Sequence, residues 1–267
     1  MSFCRRGATR FAVAATFIAA AAAVSGCGTA SAVAGGAYGA SGHRVTVARL
    51  PLSGITVGID PGHNGGNFTH TSAINSKVWN GRAWENCDTT GTATDAGYPE
   101  AQFNFQVAGY LRAELIRAGA RVVMTRTSNN GIGPCVNRRA SIIDSSHASV
   151  AVDIHADGGP SWGRGFTVLK PVADGPNDAV IAPSSSLAAD VKAAMLADTA
   201  MPVSDYYGKA GFKNRADLAG LNLTTVPKVL IEVGNMRNAA DARMLTSPAF
   251  QRQVAGALLQ AIVTFLR

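Results

Sequence analysis

Three side chains suited to acid–base or metal chemistry stand where predicted strands end. His63 follows the apolar run ITVGID in the stretch GIDPGHNGG, His155 lies near the end of SVAVDIHAD, and Glu232 lies in PKVLIEVGN. Ligands of open α/β sheets bind beyond the carboxyl ends of the strands, so we expect these side chains to meet at one sheet edge. Glu100, at the start of a predicted helix, is placed to join them.

Two histidines and one carboxylate form a ligand set typical of catalytic zinc, which keeps a water molecule in its fourth position. Each residue also has a plainer interpretation. A strand-end histidine is often a satisfied structural residue, and Glu100 is favoured at the positive end of its helix. Glu232 is the least ordinary, because an unpaired carboxylate within an apolar run is costly to bury. Spacing alone therefore leaves a metal site and a structural role both open.

The elements that must position these residues alternate between strands and helices. Strands are predicted at 55–60, 120–126, 149–157, 163–170 and 227–235. Helices are predicted from Tyr98-Pro99-Glu100 to Gly119 and at 135–147, 185–200 and 248–266. This alternation predicts a single α/β domain built on a mostly parallel sheet, without internal repeats or a second domain. Residues 64–98 are predicted as a long polar loop, a feature that is often functional.

The N-terminus has the pattern of a secretory signal at residues 1–26. Three arginines precede an apolar stretch of 14 residues, FAVAATFIAAAAAV, which is too short to span a bilayer comfortably. The following VSGC resembles a bacterial lipobox, in which Cys27 receives a lipid; ordinary cleavage near TASA at 29–32 is the alternative. We therefore expect an exported cell-envelope protein. A lipid would hold it on the outer face of the cytoplasmic membrane; without one it would be secreted or periplasmic.

Residues 27–54 are predicted to be a flexible tether before a catalytic domain at 55–267. Its first part, GTASAVAGGAYGASG, consists almost entirely of small residues that cannot bury a core. The following HRVTVARLPL has room for a short strand. Loss of the signal removes three arginines and no acids, so the net charge falls from +7 to +4. This mild excess suits an anionic bacterial wall and is too weak and scattered for nucleic acid.

Cys87 and Cys135 remain as a single cysteine pair once the signal and Cys27 are set aside. Disulfides persist in exported proteins, so we expect these two to be joined. The bond would close a loop of about 49 residues and stabilise the fold by roughly 4 kcal/mol in the chain-entropy model. A buried pair of free thiols is the alternative. Zinc binding by this pair is disfavoured, because neither cysteine has a further Cys or His nearby at ligand spacing.

Five motifs occur in one order along the chain, namely GIDPGHNGG, YPEAQFNFQVAGYLRAELIRAGARVVMTR, VDIHADGG, NRADLAGLN and VLIEVGNMRNAAD. Together they resemble the catalytic domain of the zinc-dependent bacterial N-acetylmuramoyl-L-alanine amidases, over residues 55–266. The resemblance implies a twisted sheet with helices on both faces. It also implies one zinc ion per chain, bound by His63, Glu100 and His155, with Glu232 serving catalysis.

The activity implied by the resemblance is hydrolysis of the amide between N-acetylmuramic acid and L-alanine in peptidoglycan or muropeptides. Arg215, in NRAD, is then a candidate for binding a peptide carboxylate, with a solvated loop arginine as the alternative. The chain departs from the family pattern at Asp153, a position often taken by serine, and in the length of the 64–98 segment. A zinc peptidase cutting within the stem peptide and a non-catalytic wall-binding lipoprotein are the other functions considered.

Some members of the family insert a helix whose glutamate occupies the zinc until a partner protein removes it. Here residues 156–231 contain no glutamate, and the helix SSSLAADVKAAMLAD offers only Asp190 and Asp198. The apolar residues of that helix recur at core spacing, which predicts packing on the sheet. We therefore expect an open cleft in a monomer that needs no activator.

Overall fold

Six strands form one sheet, and two further strands form a separate hairpin. The computed structural model describes residues 49–267, so the predicted signal, Cys27 and most of the tether lie outside the described residues. The strands are β1 Thr56–Pro61, β2 Lys77–Trp79, β3 Trp84–Asn86, β4 Arg121–Met124, β5 Val150–Asp157, β6 Thr167–Pro171, β7 Phe212–Arg215 and β8 Lys228–Asn235. The helices are α1 Thr71–Ile74, α2 Glu100–Arg117, α3 Val136–Ser145, α4 Ile181–Asp198, α5 Ala219–Asn222, α6 Ala239–Leu245 and α7 Pro248–Phe265.

The large sheet has the strand order β4-β1-β5-β8-β6-β7. β1 pairs in parallel with β4 and β5, and β5 pairs in parallel with β8. β6 runs antiparallel to β8 and parallel to the edge strand β7. The mostly parallel sheet expected from the sequence is therefore confirmed. The carboxyl ends of β1, β5 and β8 lie side by side, where the sequence placed the candidate residues.

Helices cover both faces of this sheet. α2, α4 and α7 pack on one face over a large core that includes Phe103, Leu187 and Val254. α3 and α5 lie over smaller apolar clusters that include Ile143 and Leu221. Parallel strands covered on both faces bury side chains in both directions. This explains why the sequences of β5 and β8 are nearly continuous apolar runs.

The helix predicted at 185–200 is α4, which begins and ends slightly earlier than expected. Its Leu187, Val191 and Met195 are fully buried, and the helix packs against α7 and β6. α4 is therefore a core helix, as its apolar spacing predicted.

The 64–98 segment is more structured than the polar loop expected. It contains the short helix α1 and the β2–β3 hairpin, and the predicted Cys87–Cys135 disulfide is present with an Sγ–Sγ distance of 2.05 Å. The backbone N–H of Val136 donates to the carbonyl of Cys87, so this segment is joined to the start of α3 twice. The structure also adds β7, α5 and α6, which were not predicted. Residues 49–52 of the possible early strand contain no strand.

We predict that replacing both Cys87 and Cys135 by serine lowers the free energy of unfolding by about 4 kcal/mol, because the unfolded chain loses a closed loop. Urea unfolding of the oxidised wild type and the double variant measures this difference. Wild type held in reductant is the control and should unfold like the variant. Equal midpoints for oxidised wild type and variant would contradict the prediction.

Candidate functional site

His63 sits on a turn that directly follows β1. Its φ of 58° lies in the left-handed region, which is uncommon for residues other than glycine. Arg139 holds the turn by donating to the His63 carbonyl at 2.7 Å. A Cβ on Gly62 would lie 2.1 Å from the ring of His155, so glycine is required where the turn passes that ring. The DPGH turn therefore aims His63 at His155.

Glu100 joins the two histidines from the first turn of α2. Its Oε2 lies 3.2 Å from Nε2 of His63, and its Oε1 lies 2.8 Å from Nδ1 of His155. One ligand atom from each of the three residues lies within 4.8 Å of the others. Burial raises the pKa of Glu100, but the two histidines outweigh this and hold it well below its usual value. The structure thus brings together the three ligands predicted from the sequence, with the carboxylate ionised.

The two histidine nitrogens that face away from Glu100 each meet another carboxylate. Nδ1 of His63 is hydrogen-bonded to Asp88 Oδ1 at 3.1 Å. Nε2 of His155 lies 3.4 Å from Asp153 Oδ1, which has no hydrogen-bond partner among the described residues. Metal-binding histidines typically donate their outer N–H to such a group, which fixes the ring and its tautomer. The donor set and its surroundings therefore fit a zinc ion.

Asp88 was not recognised from the sequence, although it directly follows Cys87. Its carboxylate is buried and accepts hydrogen bonds from Asn64 at 2.9 Å and from the backbone N–H of Thr89 at 2.7 Å. Burial raises the pKa of Asp88, but His63 and Arg139 lower it by more, so the net shift is downward. The disulfide holds the segment that supplies this carboxylate.

A buried cluster of charges lies beneath the turn. Asp60 accepts from Lys228 at 2.8 Å and from Arg139 at 2.9 Å, and all three side chains are almost fully buried. Lys228 also lies 3.6 Å from Asp153. Burial lowers the pKa of Lys228, but Asp60 and Asp153 outweigh this and raise it. Asp153 therefore has the buried cation Lys228 beside it. A serine at position 153 would carry no charge and would not need such a cation.

Glu232 projects from β8 beside His155, with which it is paired in register. Its Oε2 is buried without a hydrogen-bond partner among the described residues. Burial raises the pKa of Glu232 to about 8, with His155 acting against the shift and Glu100 and Asp157 adding to it. A carboxyl group that titrates near neutral pH is suited to take up and release protons.

The four predicted residues line one open cavity of about 320 Å³. Its wall also includes residues 89–92 and Asp157, whose Oδ2 accepts from the hydroxyl of Tyr206 at 2.8 Å. Neither aspartate of α4 is among its lining residues. Among the described residues, α4 therefore places no aspartate at this cavity, and activity without an activator stays a prediction.

Arg215 does not line this cavity. It donates two hydrogen bonds to the carboxylate of Asp217, at 2.6 and 2.7 Å, and a third to the hydroxyl of Tyr207 at 2.7 Å. Its guanidinium is therefore already engaged. Peptide-carboxylate binding by Arg215 remains a prediction.

Comparison with known proteins agrees with this site. The sequence model of the N-acetylmuramoyl-L-alanine amidase family matches residues 57–264. The chain is 38% identical over 216 residues to the N-acetylmuramoyl-L-alanine amidase Rv3717 of Mycobacterium tuberculosis, covering 80% of this chain and 88% of that protein.

Two solved structures are also similar. The amidase Ami1 of Mycobacterium smegmatis is 40% identical with a TM-score of 0.76, covering 80% of this chain and 98% of its own. The apo form of Ami1 from Mycobacterium abscessus is 42% identical with a TM-score of 0.76, covering 81% of this chain and all of its own.

The family match extends over most of the chain. The fold of the chain is that of the similar amidase structures. Two histidines and two glutamates meet at the strand ends within that match. The chain therefore belongs to the N-acetylmuramoyl-L-alanine amidases, a family of metal-dependent hydrolases that act on peptidoglycan in the cell envelope.

Proposed function

We propose that the protein is a zinc-dependent N-acetylmuramoyl-L-alanine amidase whose metal ligands are His63, Glu100 and His155. One observation carries the proposal: the ligand atoms of these residues lie within 4.8 Å of one another. The hydrogen bond between His63 and Asp88 supports it, because histidines that bind metals typically have such a partner on the outer nitrogen. The carboxylate of Asp153 lies 3.4 Å from the outer nitrogen of His155. The bond cleaved joins the lactyl group of N-acetylmuramic acid to L-alanine of the stem peptide.

Glu232 is proposed to move the protons of this reaction. When bound, zinc supplies a water molecule of lowered pKa and a positive charge that polarises the substrate carbonyl. The carboxyl group of Glu232 faces the same cavity, and burial raises its pKa above the usual value. It takes the proton of the attacking water as a general base and then delivers a proton to the leaving amine as a general acid.

The proposal includes the placement of the enzyme. A domain beginning near residue 55 would follow an exported N-terminus whose Cys27 carries lipid, and the small-residue tether would let the enzyme reach the wall. The catalytic domain acts as a monomer without an activator. This is supported by the packing of α4 in the core and by the open cavity at the strand ends.

Metal analysis tests the ligand assignment. We expect about one zinc ion per chain in the purified protein and loss of zinc in His63→Ala and in His155→Ala, because each variant leaves only two ligands. His70→Ala is the matched control and should keep its zinc, since His70 is exposed outside the cavity. Full zinc occupancy in both site variants would refute the assignment.

Glu232→Gln should retain zinc and lower turnover by at least about 100-fold, a typical contribution of general acid–base catalysis. Mass spectrometry of muropeptides digested by the purified variant measures this turnover. Wild type without any second protein is the reference, and Glu114→Gln, on the exterior of α2, is the control. Free glycan and intact stem peptide identify an amidase. Shortened peptide still attached to sugar would identify a peptidase instead, and near-normal turnover of the variant would remove Glu232 from the mechanism.

Asp88→Asn should weaken zinc binding by about 10- to 100-fold, because the carboxylate that orients His63 becomes a neutral amide. Competition with a chromogenic chelator measures the affinity, and thermal unfolding of the metal-free proteins checks that the fold is retained. Asp95→Asn is the control, since Asp95 is an exposed surface residue paired with Arg237. Equal zinc affinity in wild type and Asp88→Asn would contradict the role given to Asp88.

A further inference from the structure

Four of the six lysines of the chain gather around the edge strand β7. We call them the basic patch: Lys170 from β6, Lys192 from α4, and Lys209 and Lys213 from the β7 region. They come from distant parts of the sequence, so only the fold brings them together. No motif used for the amidase site includes them.

Aromatic rings lie at the centre of the basic patch. The Nζ atoms of Lys170 and Lys192 lie 5.2 and 5.0 Å from the centroid of the Phe212 ring. Nζ of Lys213 lies 5.8 Å from the ring centroid of Tyr207. Cations within about 6 Å of an aromatic face are attracted to it, so the rings favour keeping these ammonium groups close together. Lys170, Lys209 and Lys213 also line an open groove of about 410 Å³.

The charges of the basic patch are not neutralised by the protein. Within residues 49–267, no carboxylate lies within 4.0 Å of any of the four ammonium groups. Lys228 provides the contrast, because it is buried against Asp60 at 2.8 Å. Clustered like charges repel one another, and they raise the local concentration of anions.

Protection of a sheet edge explains only part of the basic patch. Lysines on an edge strand prevent pairing with another chain, which accounts for Lys209 and Lys213 beside the exposed edge of β7. Lys170 and Lys192 lie on β6 and α4, where they block no unpaired strand. Their position over the Phe212 ring therefore needs another explanation.

The basic patch lies around β7, two strands away from β8, which carries Glu232. Phe212 of β7 pairs with Val168 of β6, and Val168 pairs with Ile231 of β8, next to Glu232. Neighbouring strands are about 4.8 Å apart, so two spacings place β7 about 10 Å from β8. A polymer bound at the catalytic cavity is long enough to reach this edge.

We propose that the basic patch is a docking surface for the carboxylates of polymeric peptidoglycan, separate from the bond that is cleaved. The inference rests on the proposed function, because it assumes that the wall polymer is the substrate. Stem peptides present carboxylates repeatedly along a strand. Lysines are point charges on flexible stems, which suits carboxylates spread along a polymer better than one planar group. A second contact raises the apparent affinity for the polymer without changing the contacts at the cleaved bond.

The test compares two variants that lose the same charge. In the first, Lys170, Lys192, Lys209 and Lys213 are all changed to glutamine; in the control, the exposed Arg112, Arg121, Arg138 and Arg243 are changed to glutamine. Binding to purified peptidoglycan sacculi is measured by co-sedimentation with full-length proteins that also carry Glu232→Gln, so that the sacculi stay intact. Hydrolysis of sacculi and of a soluble muropeptide is measured with Glu232 in place.

We expect the lysine variant to bind sacculi at least about tenfold more weakly, and its ratio of sacculus to muropeptide hydrolysis to fall to a similar extent. The arginine control should match wild type. Raising the salt concentration from roughly 0.05 M to roughly 0.5 M should abolish the advantage of wild type, because salt screens exposed charges.

Three outcomes would overturn the docking surface: unchanged binding of the lysine variant, an equal loss in the arginine control, or a loss seen only with vesicles of anionic lipid. The last result would assign the basic patch to a membrane. Failure of wild type to cleave soluble muropeptides would refute the proposed function instead. Co-sedimentation reports on the patch separately, since it requires no turnover.

Discussion

The buried charge cluster of Asp60, Arg139 and Lys228 is the constraint on which the site depends. Asp60 ends the apolar part of β1, Arg139 lies on α3 and Lys228 begins β8, so one carboxylate joins three elements. Removing one partner of such a buried pair typically costs about 3–5 kcal/mol, because an unpaired charge remains. The pairing therefore specifies how the elements meet, whatever its net contribution to stability.

The same cluster supports an unfavourable backbone at His63. A left-handed conformation for a residue other than glycine costs of order 1–3 kcal/mol and persists only where surrounding contacts enforce it. Arg139 supplies those contacts, since it donates to the carbonyls of Pro61 and His63 and to Asn64 while paired with Asp60. A cation that neutralises a buried carboxylate thus also holds the turn that aims the first histidine.

The sequence was informative where the signal is local. Apolar runs and a proline at a helix start were enough to predict the main strands and the helices α2, α3, α4 and α7. Histidines at strand ends marked candidate ligands, but the full set His63, Glu100 and His155 came from the resemblance to the amidase family. The partner of Lys228 could not be found this way, because Asp60 lies 168 positions away and a lysine at a strand start resembles a solvent-facing residue. The β2–β3 hairpin did carry a local signal. Asn80-Gly81 is a common pair in hairpin turns, but here it begins a four-residue loop, 80–83, in which the Asn80 side chain accepts from the backbone N–H groups of Arg82 and Ala83. The polar residues around the loop concealed the strands.

The site assigns different roles to its carboxylates through their neighbours. Asp60 and Asp88 each lie near buried cations or donors, which lower their pKa and make them fixed negative charges. Glu232 has no arginine or lysine within 4.0 Å among the described residues, and burial raises its pKa to about 8. The cations thus lie on the side of the two histidines, and none of them neutralises Glu232, the proposed proton carrier. Separating pKa values by environment is how enzymes obtain a fixed charge and a proton carrier from one type of side chain. Lys228 and Arg139 therefore act on the site through Asp60, and neither lines the cavity that Glu232 faces.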